Sequence, residues 1–131
     1  MDCGASWSFS TLSILEFWLR VGDNNLTLSQ QNVIDCDTMS NGCEGLLMIF
    51  VLKYVQLLTV GGWPTDALRY AHVEGISNGL FYKYKAKTRE CQRTRDKFPP
   101  AYKIPNACEL KLKGNENLLV ALLTEVGPVA G

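Results

Sequence analysis

The first regular pattern of apolar residues runs from Trp7 to Val21, where Trp7, Leu12, Leu15, Trp18, Leu19 and Val21 recur close to helical spacing with no proline or glycine before Arg20. This predicts a long, mostly buried helix with Trp7 and Trp18 in the core. Gly22-Asp23-Asn24-Asn25 ends it, because glycine and asparagine tolerate the left-handed conformation that follows a helix. A shorter helix starts at Ser29, a good N-cap, and carries Val33 and Ile34 to Cys36. Residues 37–45, rich in Ser, Asn, Asp and Gly, read as a loop.

The unbroken apolar run Leu46 to Leu52 is closed by Lys53, and the pattern predicts a buried third helix from about Leu46 to Leu58. Gly61-Gly62-Trp63-Pro64 then breaks the chain. Residues 65–107 show no sustained period and are assigned loop with short extended pieces. From Asn115 to Val126 the pattern returns: Asn115 as cap, Glu116 in the first turn, Leu118, Leu119, Leu122, Leu123 and Val126 on one face, and Gly127-Pro128 as a stop.

Composition narrows the function classes. Thirteen basic and thirteen acidic residues cancel, so no net field draws the chain to nucleic acid or to an anionic membrane. Tyr82, Lys83, Tyr84, Lys85, Lys87 and Arg89 interleave aromatic and basic residues, but they read as a solvated face over an aromatic anchor. The apolar run is far below the roughly 20 residues a membrane helix needs, and no secretory signal is visible after Met1.

Five cysteines (Cys3, Cys36, Cys43, Cys91 and Cys108) favour an oxidising compartment, and four of them pairing leaves one thiol over. With no C-x-x-C and His72 as the only histidine, no metal site and no cofactor are expected. His72 reads as a lone surface-loop histidine. Asn25-Leu26-Thr27 is a glycosylation sequon in a polar turn.

The run Cys3-Gly4-Ala5-Ser6-Trp7-Ser8-Phe9-Ser10 resembles the active-site motif C-G-S/A-C-W/Y-A/S-F-S of papain-like cysteine peptidases of the cathepsin L, K and S type. Leu28-Ser29-Gln30-Gln31-Asn32-Val33-Ile34-Asp35-Cys36 resembles L-S-E-Q-x-L-V-D-C. Gly42-Cys43-Glu44-Gly45-Leu46-Leu47-Met48 resembles G-C-N-G-G-L-M, in the family's order. Weaker echoes follow in Gly61-Gly62, in Tyr82-Lys83-Tyr84-Lys85-Ala86 and in Glu125-Val126-Gly127-Pro128-Val129.

The resemblance implies an α+β fold: a papain-like left domain over residues 1–110, mainly helical around a long central helix, with an insertion near 66–81. Residues 111–131 then begin the β-rich right domain. It also implies disulfides Cys3–Cys43 and Cys36–Cys91, with Cys108 free, and a lysosomal or extracellular location.

Ser6 falls at the nucleophile position; taken without the family it is an ordinary helix cap. A thiolate at this position is activated by the helix end and a neighbouring imidazolium, which lower its pKa from about 8.5. An alkoxide is far more basic, so serine needs a proton acceptor during attack. The family's histidine and asparagine would lie beyond Gly131, and its oxyanion glutamine would fall before Met1. One such donor is worth about a hundred- to a thousandfold in rate.

Gly45, Leu46, Leu47 and Met48 match the substrate-binding positions, with Leu46 where the second glycine leaves room for an extended peptide. Leu47 and Met48 serve equally as core. The expected function is an inactive homologue or fragment that retains peptide or partner binding. The alternatives are part of a genuine cathepsin-like cysteine endopeptidase with Cys replaced by Ser at position 6 and the remaining domain lost or on another chain, and a silicatein-like serine variant.

Overall fold

The computed structural model describes residues 3–44, 47–51, 54–58, 62–94, 96–106 and 113–128, with the backbone alone over 47–51 and 54–58. Helix α1 spans Ser6–Val21 and α2 spans Gln30–Cys36. Strands β1 (Leu47–Val51) and β2 (Tyr54–Leu58) follow, then α3 (Pro64–Val73), β3 (Ile76–Ser77), β4 (Pro100–Tyr102) and α4 (Glu116–Glu125). α1 packs against α2 and α3. The core lies where they meet: Leu12, Leu15 and Leu19 from α1, Val33 and Ile34 from α2, Ala67, Tyr70 and Ala71 from α3, with Ile76 from β3 and Leu28 and Ile104 from the connections.

The helical stripe of α1 is narrower than the pattern predicts. Trp7, Leu12, Leu15 and Leu19 are buried, but Trp18 is 41% exposed and Val21 is exposed as well. Trp18 therefore is not a core residue; its ring stands edge-on to Phe17 on the open side of the helix. The residue that takes the left-handed conformation after α1 is Asp23, with φ 60°, rather than Gly22.

Two further expectations are corrected. The predicted helix over Leu46–Leu58 is an antiparallel hairpin, with Leu47 opposite Leu58 and Val51 opposite Tyr54. Periodicity cannot separate a short apolar run in a strand from one in a helix, and Ile49, Phe50, Val51, Tyr54 and Val55 are the β-branched and aromatic types that suit a pleated backbone.

The stretch assigned to loop from residue 65 contains α3. Pro64 occupies the first helical position, where its missing amide is not needed, and Asp66 Oδ2 accepts a hydrogen bond from Trp63 N at 3.2 Å. Ala67, Tyr70 and Ala71, spaced three and four apart, are buried against α1, so the segment near 66–81 is part of the core. The chain leaves α3 through Gly75 at φ +78°, where a Cβ would lie 2.9 Å from Pro100 Cβ and 3.0 Å from Tyr102 O. Only glycine lets β3 pair with β4 that closely.

Helix α4 has the predicted cap: the Asn115 side chain accepts from Leu118 N at 3.0 Å. None of its residues is buried.

Candidate active site

Ser6 is the first residue of α1 and is exposed; the N-cap is Ala5, which is buried. Ser6 is thus not a helix cap, and among the described residues its hydroxyl makes no hydrogen bond. The segment around it, from Cys3 to Trp7, is fixed in three ways to the loop at Gly42 and Cys43. A disulfide joins Cys3 to Cys43, Gly4 N donates to Cys43 O at 2.8 Å, and Trp7 Nε1 donates to Gly42 O at 3.3 Å. Inside the helix, Thr11 Oγ1 donates to Trp7 O at 2.9 Å. This arrangement presents Ser6 at the positive end of a helix dipole, a place suited to a nucleophile that develops negative charge.

His72 is exposed but lies in the last turn of α3, not in a loop, and its Nδ1 is 3.0 Å from Ile104 O. Asn25 is exposed on the turn after α1. Gly45, Leu46 and Cys108 lie outside the described residues; Leu47 and Met48 open β1, where only the backbone is described.

The sequence pattern did not reveal the polar hub that α2 forms beside this segment. Ser29 Oγ accepts from Asn32 N, capping the helix, and donates to Tyr82 O at 2.6 Å. Gln31 donates through Nε2 to Lys87 O and accepts from Lys85 N, each at 2.7 Å. Asn32 accepts from Ser77 N at 3.0 Å and donates to Tyr70 Oη at 3.2 Å. Asp35 accepts from Arg89 N at 2.8 Å and from the Tyr82 hydroxyl at 2.9 Å.

Buried polar groups of this kind are stable only when satisfied, so the motif around Ser29 to Asp35 holds the 82–89 segment against the core. The disulfide Cys36–Cys91 closes the same junction. Polar residues inside a short helix were the available signal.

Beside that disulfide a cavity of about 400 Å³ is lined by Asp37, Met39, Arg69, Tyr70 and Arg93. Asp37 is buried, its Oδ2 has no hydrogen-bond partner among the described residues, and Arg69 Nη2 stands 3.8 Å from Oδ1. Burial raises its carboxyl pKa above the ordinary value, against the pull of the Met39 amide. Burial also pushes the Tyr82 phenol up to about 12. None of the cavity's lining residues belongs to the segment around Ser6.

Two disulfides fit an oxidising compartment. Among the described residues no group of three or more His, Cys, Asp or Glu could hold a metal, and no helix is long and apolar enough to cross a membrane.

The sequence is 32% identical to chymopapain of Carica papaya over 95% of this chain and 33% of the relative, and 33% identical to cathepsin K of Mus musculus over 98% and 34%. The chain thus spans about a third of the length of these relatives. Among solved structures it is similar to a Carica candamarcensis cysteine protease, with TM-score 0.69, 25% identity, and 92% of this chain and 49% of that one covered. It is also similar to digestive procathepsin L 3 of the Tenebrio molitor larval midgut, with TM-score 0.64, 28% identity, and 95% and 36% covered.

The pattern of the papain family cysteine proteases matches residues 1–60 and 56–131, so the two stretches together cover the whole chain. With the disulfide-pinned helix at Ser6 and the α2 hub behind it, these matches mean that the chain belongs to the papain family of cysteine proteases.

Proposed function

We propose that this polypeptide is a papain-like left domain without peptidase activity of its own, with Ser6 at the nucleophile position, and that it retains binding of an extended peptide or a protein partner. The observation that carries the reading is the separation of roles between Ser6 and His72. Ser6, at the start of α1, makes no hydrogen bond among the described residues, whereas the chain's only histidine is engaged with Ile104 O at the end of α3. A serine hydroxyl without a proton acceptor is a poor nucleophile, and the helix end cannot remove its proton.

The test is incubation of the purified protein with a fluorogenic peptide, alongside Ser6→Ala and Ser6→Cys. All three are expected to show no turnover. Cleavage that disappears in Ser6→Ala would overturn the reading.

The second reading is a part of a cathepsin-like endopeptidase completed by a right-hand domain, of which residues 111–131 are the beginning. It is favoured by the share of the relatives that the chain spans and by the exposed apolar side chains of α4, Leu118, Val120 and Leu123. Co-expressing Ser6→Cys with a right-hand domain that carries the histidine should then produce a thiol peptidase. A folded but inactive complex would exclude it. The exposed sequon at Asn25 and the two disulfides support a lysosomal or extracellular location.

A further inference from the structure

The chain on both sides of the hairpin ends on one indole. Before it, Gly42 O accepts from Trp7 Nε1 at 3.3 Å, and Cys43 is bonded to Cys3. After it, Gly62 lies so close to the same ring that a Cβ there would be 2.5 Å from Trp7 Cδ2, 2.6 Å from Cε2 and 2.7 Å from Cε3. Directly beyond, Pro64 O accepts from Thr11 Oγ1 at 3.4 Å, and α3 enters the core. Both described flanks of the hairpin therefore lie on Trp7.

Strands β1 and β2 form a sheet of their own, pairing only with each other, so their ladder depends on no other described strand. The family match also runs as two stretches, 1–60 and 56–131, that meet inside this excursion.

We propose that residues 46–61 are an insert within the G-C-x-G-G element, and that Gly62, not Leu46, is its second glycine. Joining Gly45 to Gly62 spells Gly-Cys-Glu-Gly-Gly-Trp, which restores the element that Leu46 interrupts. Placing the boundary one residue earlier, so that Glu44 joins Gly61, yields the same product. The glycine that leaves room for a peptide backbone is then the one that lies on Trp7, one residue after Ser6 at the start of α1. That last role rests on the peptide-binding reading; the insert itself does not.

The experiment is deletion of residues 46–61. The shortened protein is expected to keep Cys3–Cys43 and Cys36–Cys91 by disulfide mapping and to melt at an equal or higher temperature, because a shorter loop costs less to close. Loss of Cys3–Cys43 or a lower melting temperature would overturn the proposal.

Two point variants of the full chain provide a check independent of the deletion. Gly62→Ala should lower the melting temperature and shift tryptophan emission to the red, while Leu46→Gly should change neither. The opposite pattern would assign the element's glycine to position 46. Titrating a blocked leucine-rich tripeptide amide into the deletion variant separates the two ideas. If the fold is intact and no binding is seen, the peptide-binding role fails and the insert stands.

Discussion

The Tyr82 hydroxyl donates to Asp35 Oδ2 at 2.9 Å and accepts from Gln92 N at 3.0 Å, so one buried phenol ties α2 to the backbone that follows Cys91. Asp35 has no exposed side-chain surface, and its other oxygen accepts from Gln31 Nε2 and Arg89 N. Removing the hydroxyl leaves a buried carboxylate oxygen and an amide each short of a partner.

Tyr82→Phe is therefore expected to destabilise the protein by about 1–3 kcal/mol, read as the shift of its urea midpoint at neutral pH. The alkaline limb gives a second readout. Because burial raises the folded-state value to about 12, the phenol's contribution is fully present below its ordinary value near 10 and is lost as pH rises through 12. The wild-type protein should lose stability across that window, and Tyr82→Phe should lose less. Equal alkaline limbs would show that another group dominates.

Asp37 carries the opposite expectation on mutation. Its buried Oδ2 lacks a partner among the described residues, and the raised carboxyl pKa means that stability is fully present below the ordinary carboxyl value and lost as pH rises through the elevated one. Asp37→Asn keeps the oxygen that accepts from Met39 N at 3.1 Å and removes the buried charge. At neutral pH it should raise stability by about 1 kcal/mol, and in acid the two proteins should converge. Thermal melts at the two pH values check this. Destabilisation at neutral pH would mean that the pair with Arg69 outweighs the desolvation.

The apolar side chains of α4 predict self-association. Leu118, Val120 and Leu123 are exposed on this short helix and Val126 just past its end, and Phe17 and Trp18 are exposed on α1, where a Cβ on Gly127 would lie 2.8 Å from Trp18. Light scattering should show an average mass that grows with concentration, and Val120→Glu with Leu123→Glu should suppress that growth without lowering the melting temperature. A monomer at every concentration would contradict it.

Much of the local structure was legible in the sequence because it depends on groups a few residues apart. The periodicity of Trp7, Leu12, Leu15 and Leu19 marks α1, Ser29 caps α2, and Asn115 caps α4. The octapeptide around Ser6 carried the family resemblance as well, since a motif needs no fold to be recognised.

Tertiary structure decided what depends on neighbours distant along the chain. It set Trp7 in the core and left Trp18 41% exposed, although both fit the helical stripe, because α2 and α3 pack on the side of α1 that carries Trp7 and Trp18 lies outside that junction. It turned an ambiguous apolar run into the β1–β2 hairpin, in which each strand has the other as partner. It also made Gln31, Asn32 and Asp35 interior residues by supplying partners from Ser77 to Arg89. A side chain's type limits what it can bury, but burial is completed by whatever packs over it, and that is a property of the folded chain.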